Sequence, residues 1–373
     1  MAAERILVTG GAGFIGSFLV DRLVEQGEKV TILDCLDPQV HPAGKPDYLN
    51  PHAEFIQGNV LDRNLLAQIL KRVDVVYHLA SAVGVGQSQY QIEHYVSANT
   101  QATAVLLDVL VNDRPAVRKV VVAASMSSYG EGLYEAPSNG VRLRPGLRPE
   151  AQLARHDWEP RHPVSGEVLR PTPTPESEVF QSNSIYAMTK AHQEEMTLLI
   201  GKTYSIPSVA TRFFNVFGPR QSLSNPYTGV AAIFMSRLKN NQPPVVYEDG
   251  NQTRDFISVH DVARALAMIK DNSAVDYQAL NVGTGKPIEI AEVARTIARV
   301  CDKQIEPDIQ MKFRKGDVRH CYADITRIQT LLGWNPQVKY EEGIRELVAW
   351  SEKVEAEDHF EQASAELRAK GLL

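Results

Sequence analysis

Cysteine is scarce in this chain, with only Cys35, Cys301 and Cys321 among 373 residues. Their odd number and wide spacing exclude a disulfide framework and a cysteine-based zinc pattern, and fit a reducing cytoplasm. No apolar run approaches the roughly 20 residues that a bilayer-spanning helix needs, so no membrane partner is expected. The first strand signal lies within five residues of Met1, which leaves no room for a signal peptide. Basic residues form no run and the net charge is −6, which argues against a nucleic-acid stripe. His162-Pro163-Val164-Ser165-Gly166 has the outline of a metal knuckle without its cysteines and reads as a plain loop, so no metal is expected. The length is generous for one domain and comfortable for two.

What is present begins with glycine. Arg5-Ile6-Leu7-Val8-Thr9 reads as a buried strand of a parallel sheet and runs straight into Gly10-Gly11-Ala12-Gly13-Phe14-Ile15-Gly16. Gly10 permits a tight turn, Gly13 lets the backbone approach a pyrophosphate, and Gly16 lets a helix from about Phe14 to Gln26 pack on the strand. The start of that helix offers unpaired N–H groups and a positive dipole end to phosphate. A second strand, Val30–Leu33, ends in Asp34, 18 residues after Gly16, where an acidic side chain would bind an adenosine ribose diol. A carboxylate there repels a 2′-phosphate, so the expected cofactor is NAD rather than NADP. The competing reading is an ordinary strand–helix turn with a surface Asp. Strand, glycine spacing, helix and acid in the right order weigh against it.

Strand and helix signals alternate to about residue 125. They comprise strand Glu54–Val60, helix Arg63–Lys71, strand Val73–Ala80, a helix around Ala98–Val111 and strand Lys119–Ser125. Such repetition implies a doubly wound parallel sheet with right-handed crossovers, whose ligands bind at the carboxyl ends of the strands. Asn59, Leu79, Ala80, Ser81 and Ser125 would sit on that edge. Residues 131–180 contain eight prolines and six arginines and are expected to form an extended surface excursion without regular structure. Helix resumes at Ser184–Tyr204, followed by strands Ser208–Phe214 and Arg254–Val259 and helix Asp261–Ile269. Helices near 289–301 and 341–353 should form a smaller domain closing over the strand ends, and the last twenty residues a peripheral helix. The fold class expected is α/β, a Rossmann-type doubly wound parallel sheet with a smaller C-terminal substrate-binding domain.

Tyr186 and Lys190 form a Tyr-x-x-x-Lys spacing in Ser184-Ile185-Tyr186-Ala187-Met188-Thr189-Lys190. Alone it says little, because a half-buried tyrosine with a surface lysine is the commoner outcome. Downstream of a dinucleotide turn and a serine-rich strand end, it describes a proton-transfer site. A free phenol, with a pKa near ~10, is a poor base at neutral pH. A lysine four residues on shares the helix face and should favour the phenolate.

The segments TGGAGFIG, Asp34, GNVLD, HLAS, ASMSSYG, YAMTK, RFFNVFGPRQ, RDFISVHDVA, NVGTG and RKGDV together resemble the extended short-chain dehydrogenase/reductase superfamily, in its NAD-dependent nucleotide-sugar epimerase/dehydratase branch. The resemblance covers nearly the whole chain apart from residues 131–180 and the extreme C-terminus. It implies an isomerase with tightly bound NAD that inverts C4 of a nucleotide-diphosphate sugar through a 4-keto intermediate. Ser125, Tyr186 and Lys190 are the catalytic residues it implies. Ser125 is preferred to Ser127 and Ser128 because it lies four residues before Tyr129 of a Tyr-Gly pair.

The same resemblance puts the cofactor against Gly10, Gly13, Phe14, Ile15, Gly16 and Asp34, then Asn59, Val60, Leu79, Ala80, Ser81, Asn99 and Phe213, with Tyr186 and Lys190 at the nicotinamide ribose. It puts the substrate against Ser125, Met126, Ser127 and Asn215, the diphosphate against Arg254 and Arg314, and the base against Tyr247. Cys321 falls where UDP-galactose 4-epimerases carry the residue that sizes the sugar pocket, and its small side chain suggests tolerance of a substituted sugar. Val83 replaces a lysine of those enzymes. Residues 1–216 and 255–282 would form the NAD-binding domain, with 131–180 as an insert, and 217–254 and 283–373 the nucleotide-sugar domain.

Met126 and Ser127 stand where 4,6-dehydratases of this branch carry an Asp-Glu pair, and they cannot do its acid–base work. UDP-glucuronate decarboxylase, or another nucleotide-sugar oxidoreductase of the same fold, remains as the alternative. Asp37-Pro38-Gln39-Val40-His41-Pro42 and Trp158-Glu159-Pro160 are most similar to bacterial dTDP-sugar 4-epimerases of the dTDP-L-rhamnose type. A homodimer, built on helices near 98–111 and 184–204, and a cytoplasmic location complete the expectation.

Overall fold

In the computed structural model, which describes residues 3–373, seven parallel strands make the central sheet. They are β1 (Arg5–Thr9), β2 (Lys29–Asp34), β3 (Glu54–Gln57), β4 (Val75–His78), β5 (Lys119–Ser125), β6 (Ser208–Phe213) and β7 (Gln278–Val282). Their spatial order is β3-β2-β1-β4-β5-β6-β7. The chain winds outward from β1 to β3 and then crosses back to place β4 on the other side of β1. Connections therefore leave β1 and β4 in opposite directions and open a crevice at their carboxyl ends.

Burial on both faces explains the unbroken apolar strands. Ile6 and Val8 face a core shared with α1 (Phe14–Glu25), while Leu7 faces α2 (Arg63–Leu70) and α3 (Ala102–Asn112). Burial of each such side chain contributes about 1.5–3 kcal/mol. Asp62 caps α2 by accepting from the Asn64 and Leu65 N–H groups at 3.1 and 3.0 Å, which fixes the turn carrying Asn59. Two further helices matter for the site: α4 (Ile185–Tyr204) lies against β5 and β6, and α5 (Val259–Ile269) against α1. A second core gathers Phe217 and Phe256 with helices Val230–Lys239, Ile290–Val300 and Tyr340–Ser351.

Residues 131–180 depart from the expectation of an irregular surface excursion. Leu133–Glu135 is the centre of a three-stranded antiparallel sheet, flanked by Arg142–Leu143 and Arg170–Thr172, with Tyr134, Ala136 and Leu169 as its own small core. The arginines that suggested a surface are largely partnered. Arg148 donates to Glu248 at 2.8 Å, and Arg170 to Glu135 at 2.6 Å. Arg319, wholly buried, donates to Glu159 at 2.6 Å, Glu248 at 2.8 Å and Asp249 at 2.7 Å. Glu131 accepts from the backbone N–H of Arg319 at 2.8 Å and of His320 at 2.9 Å. His162 makes a turn, accepting through Nδ1 from the N–H groups of Val164 and Ser165.

The C-terminal helix is not peripheral either. It spans Phe360–Ala369 and buries Ala363 and Leu367. Among the described residues no helix is long and apolar enough to cross a membrane.

Removing one partner of a buried ion cluster leaves charges without compensation. Arg319→Met is expected to cost about 3–5 kcal/mol, measured as a lower urea midpoint of the intact protein. A loss below 1 kcal/mol would show that the insert is held by apolar contacts instead.

Candidate active site

The crevice at the strand ends is one continuous cavity of about 950 Å³. Its floor is the glycine turn. Gly10 has φ +70°, and a Cβ there would meet Ala80 N at 2.7 Å; a Cβ on Gly16 would strike the Gly10 carbonyl. No side chain caps the first turn of α1, whose preceding residue is Gly13, so its N–H groups are available to an anion. Asp34 accepts from the N–H groups of Ala12 at 3.0 Å and Leu36 at 2.9 Å. It thus shapes the turn as well as lining the cavity.

Tyr186 enters at the start of α4. Ser184 caps that helix by accepting from the Ala187 N–H at 3.1 Å, and Ser88 Oγ accepts from the Tyr186 N–H at 3.0 Å. Tyr186 lines the cavity together with Ser125, the last residue of β5. Ser127 donates to Ser125 through both its N–H and its hydroxyl, at 3.2 and 2.9 Å. Lys190 donates to Gln193 at 2.6 Å and to Ser81 at 3.4 Å.

Burial raises the Tyr186 pKa, with the nearby Ser125 hydroxyl opposing it, and lowers that of Lys190 to about 7. The expectation that the Lys190 charge depresses the phenol is not met in this geometry, because the ammonium is turned to Gln193 and is itself disfavoured by desolvation. His78 is held neutral by burial between Thr9 and Thr103, at 2.8 and 3.0 Å, and its pKa falls to about 3.

Twelve of the thirteen expected cofactor residues that precede Tyr186 and Lys190 in the argument line this cavity: Gly10, Gly13, Phe14, Ile15, Gly16, Asp34, Asn59, Val60, Leu79, Ala80, Ser81 and Phe213. Asn99 does not. It is buried in a π-helical turn, Val96–Gln101, where its amide accepts from the Ala82 N–H at 2.7 Å and donates to Thr189 at 2.9 Å. It ties the end of β4 to α4.

On the other wall stand Ser125, Met126, Ser127, Asn215, Tyr247, Arg254 and Arg314. Arg314 pairs with Asp317 at 2.8 Å and lies 4.8 Å from the Tyr247 ring centre. Arg254 donates to the carbonyls of Val318 at 2.6 Å and Arg319 at 3.0 Å. Cys321 also departs from its expected place: it is buried with Tyr129, Phe214 and Ala323 behind the wall and does not line the cavity.

Sequence reasoning missed Gln252, Tyr227, Asn183 and the C-terminal residues Ala363, Ser364 and Leu367, all of which line the cavity. The Gln252 amide nitrogen donates to the Tyr247 carbonyl at 2.9 Å, while its oxygen has no partner among the described residues. Gln252 lies two residues before Arg254, and that proximity was the available signal. None pointed to the C-terminal helix.

Two family descriptions match in succession, the NAD dependent epimerase/dehydratase family over residues 6–149 and GDP-mannose 4,6 dehydratase over residues 164–347. A dTDP-L-rhamnose 4-epimerase of Burkholderia thailandensis is 34% identical over 350 residues, covering 93% of this chain and 94% of that protein. The chain belongs to the NAD-dependent epimerase/dehydratase family. Solved structures of similar shape include a UDP-N-acetylglucosamine 4-epimerase from Methanobrevibacter ruminantium in complex with UDP-N-acetylmuramic acid (TM-score 0.76, 32% identity, 95% of this chain and 99% of that one). Another is a UDP-glucose 4-epimerase of Thermus thermophilus in complex with NAD (TM-score 0.75, 27% identity, 94% of this chain and 100% of that one).

As a member of the NAD-dependent epimerase/dehydratase family, the chain is an enzyme of the nucleotide-sugar epimerase type with NAD as cofactor. The residues suit that cofactor: Gly10 and Gly16 let the turn close where a Cβ would strike the backbone of Ala80 and Gly10, and the start of α1 beside it carries no side-chain cap.

Two expectations follow. The folded-state pKa of Lys190, about 7, lies below the ordinary 10.5, so between those values the unfolded chain binds more protons and stability rises with pH. NAD-free Lys190→Met should therefore be more stable than the parent below about pH 7 and lose that advantage as pH approaches 10.5, by denaturant midpoints across pH. A constant difference would assign the effect to packing. Cys321→Tyr should cost about 1–3 kcal/mol by overpacking, a loss visible in the melting temperature; altered sugar preference at unchanged stability would contradict its placement behind the wall.

Proposed function

We propose that the chain is a nucleotide-sugar 4-epimerase acting on a dTDP-6-deoxysugar such as dTDP-L-rhamnose, through a transient 4-keto sugar. The observation that carries the reading is that Tyr186, Ser125 at the carboxyl end of β5 and buried Lys190 line the same cavity as the glycine turn. Tyr186 takes the proton of the sugar C4 hydroxyl and later returns it, while Ser125 holds the reacting oxygen. Lys190, turning from Gln193 toward Tyr186, stabilises the phenolate that burial alone disfavours. NAD, when bound, supplies the acceptor and then the donor of hydride at C4.

Two features support epimerisation over its neighbours. Met126 and Ser127 line the cavity next to Ser125 and offer no acid–base pair for eliminating water. The lysines and arginines lining the cavity are Lys190, Arg254 and Arg314, and two of these are assigned to the diphosphate. Among the described residues no further lysine or arginine lines the cavity to receive the carboxylate of a uronate, which disfavours the decarboxylase. The thymidine base and the deoxysugar rest on the Burkholderia relative.

A homodimer belongs to the same proposal, with exposed Met188 and Leu199 of α4 and exposed Ile92 and Val96 ahead of α3 as its apolar contact. So does a cytoplasmic location, with all three cysteines free.

Incubation with UDP-, dTDP-, GDP- and CDP-sugars, followed by NMR of the anomeric signals, should give the C4 epimer with no net change in cofactor. Tyr186→Phe should lower kcat about a hundred- to ten-thousand-fold with nucleotide-sugar binding retained. Stoichiometric NADH or carbon dioxide would overturn the reading.

A further inference from the structure

The C-terminal helix bridges the two sides of the cavity. At its start it rests on the second core, where the Arg237 guanidinium lies 4.6 Å from the Phe360 ring centre and 3.2 Å from Asp358. Ser224 accepts there from the Glu357 N–H at 3.0 Å. At its far end one oxygen of Glu366 accepts from the hydroxyls of Tyr227 at 2.7 Å and Tyr90 at 2.9 Å, and these hydroxyls are 2.6 Å apart. Tyr90 belongs to the segment after β4, and Tyr227 to the loop before helix Val230–Lys239. Those two bonds hold the Glu366 carboxyl below its ordinary range, so the acceptor is charged at neutral pH.

Between its two ends the helix covers the cavity beside Tyr186. A Cβ on Gly86 would lie 3.2 Å from the Leu367 side chain, and two residues on, Ser88 holds the Tyr186 N–H. Ala363, Ser364 and Leu367 face the same space.

Inversion at C4 demands that the sugar, once oxidised and no longer covalently or ionically held at its reacting end, stay long enough to turn over and take hydride back. A cavity left open at that point would release the keto sugar and strand the cofactor in its reduced form. We propose that the Phe360–Ala369 helix is the lid that retains the keto sugar, with Tyr90, Tyr227 and Glu366 as positioning residues that latch it. This rests on the epimerase reading above. The lid opens at the Glu366 end, held by that latch and by the Lys315 N–H on the Leu372 carbonyl at 3.2 Å, because the Phe360 end is tied to the second core by a cation, a ring and the Glu357 N–H.

Glu366→Ala and Tyr227→Phe holoenzymes are tested against nucleotide sugar for kcat, KM and reduced nicotinamide, the last by its near-ultraviolet absorbance and fluorescence. The expected result is a kcat/KM lower by about tenfold, a steadily growing reduced fraction, and free 4-keto sugar in the medium by NMR, none of which the parent shows. Parent-like kinetics with no reduced cofactor would overturn the proposal.

A second arm locks the lid instead of loosening it. A G86C/L367C enzyme, oxidised, should keep its NAD and lose turnover, and should recover on reduction. Undiminished turnover of the cross-linked enzyme would overturn the proposal independently of whether Glu366→Ala folds. A parent enzyme that epimerises no nucleotide sugar in the panel would overturn the epimerase reading itself.

Discussion

Taking the Lys190 ammonium out of water is costly, and its two partners, the neutral Gln193 amide and the Ser81 hydroxyl, offset only part of that, so its pKa falls to about 7. The surroundings are arranged to keep this arrangement in place. Gln193 also donates to Thr103 at 2.9 Å, Thr103 faces a neutral His78, and Asn99 binds Thr189 on the same helix as Lys190. Each of these polar groups is buried and has a partner, which removes alternatives for the lysine as well as for its neighbours. The result is a cation at the sheet edge whose charge is inexpensive to move by a small change in its surroundings.

That edge exists because the sheet is parallel and covered on both faces. Apolar side chains fill both layers, so chemistry is confined to the turns where strands end, and β1, β4 and β5 deliver Gly10, Ser81 and Ser125 to one line. These parts were legible in the sequence for a physical reason. A strand buried on two faces shows as an unbroken apolar run, and a turn that must bring backbone against backbone shows as glycine. Tyr186 and Lys190 were legible because helical periodicity puts residues four apart on one face.

What was not legible depended on partners distant in sequence. Arg148 looks like a surface residue until Glu248 is brought beside it, and Glu159 until Arg319 is. Proline-rich, arginine-rich composition therefore suggested an excursion where the chain builds a small ordered sheet. Asn99 and Cys321 err in the other direction. Each sits at the right place along the chain, yet one turns its amide to the backbone of Ala82 and the other lies a layer behind Met126. Spacing locates a residue on an element; it does not say which side of a wall the side chain occupies.

The two ends of the cavity are built to different standards. Behind Tyr247, the Arg148–Glu248–Arg319 cluster is buried and several-fold bonded. Breaking it leaves buried charges incompletely compensated, so this end gains little from motion. Above Tyr186 the covering helix is fastened at its far end through one Glu366 carboxylate oxygen and one backbone bond, from the Lys315 N–H to the Leu372 carbonyl at 3.2 Å, interactions that water can replace at small cost. On the function proposed here, that asymmetry matches what inversion requires. A sugar can present both faces to one hydride site only if its nucleotide end is held rigidly while its hexose end is enclosed without being gripped. The rigid ion cluster and the replaceable latch supply those opposite conditions within a single cavity.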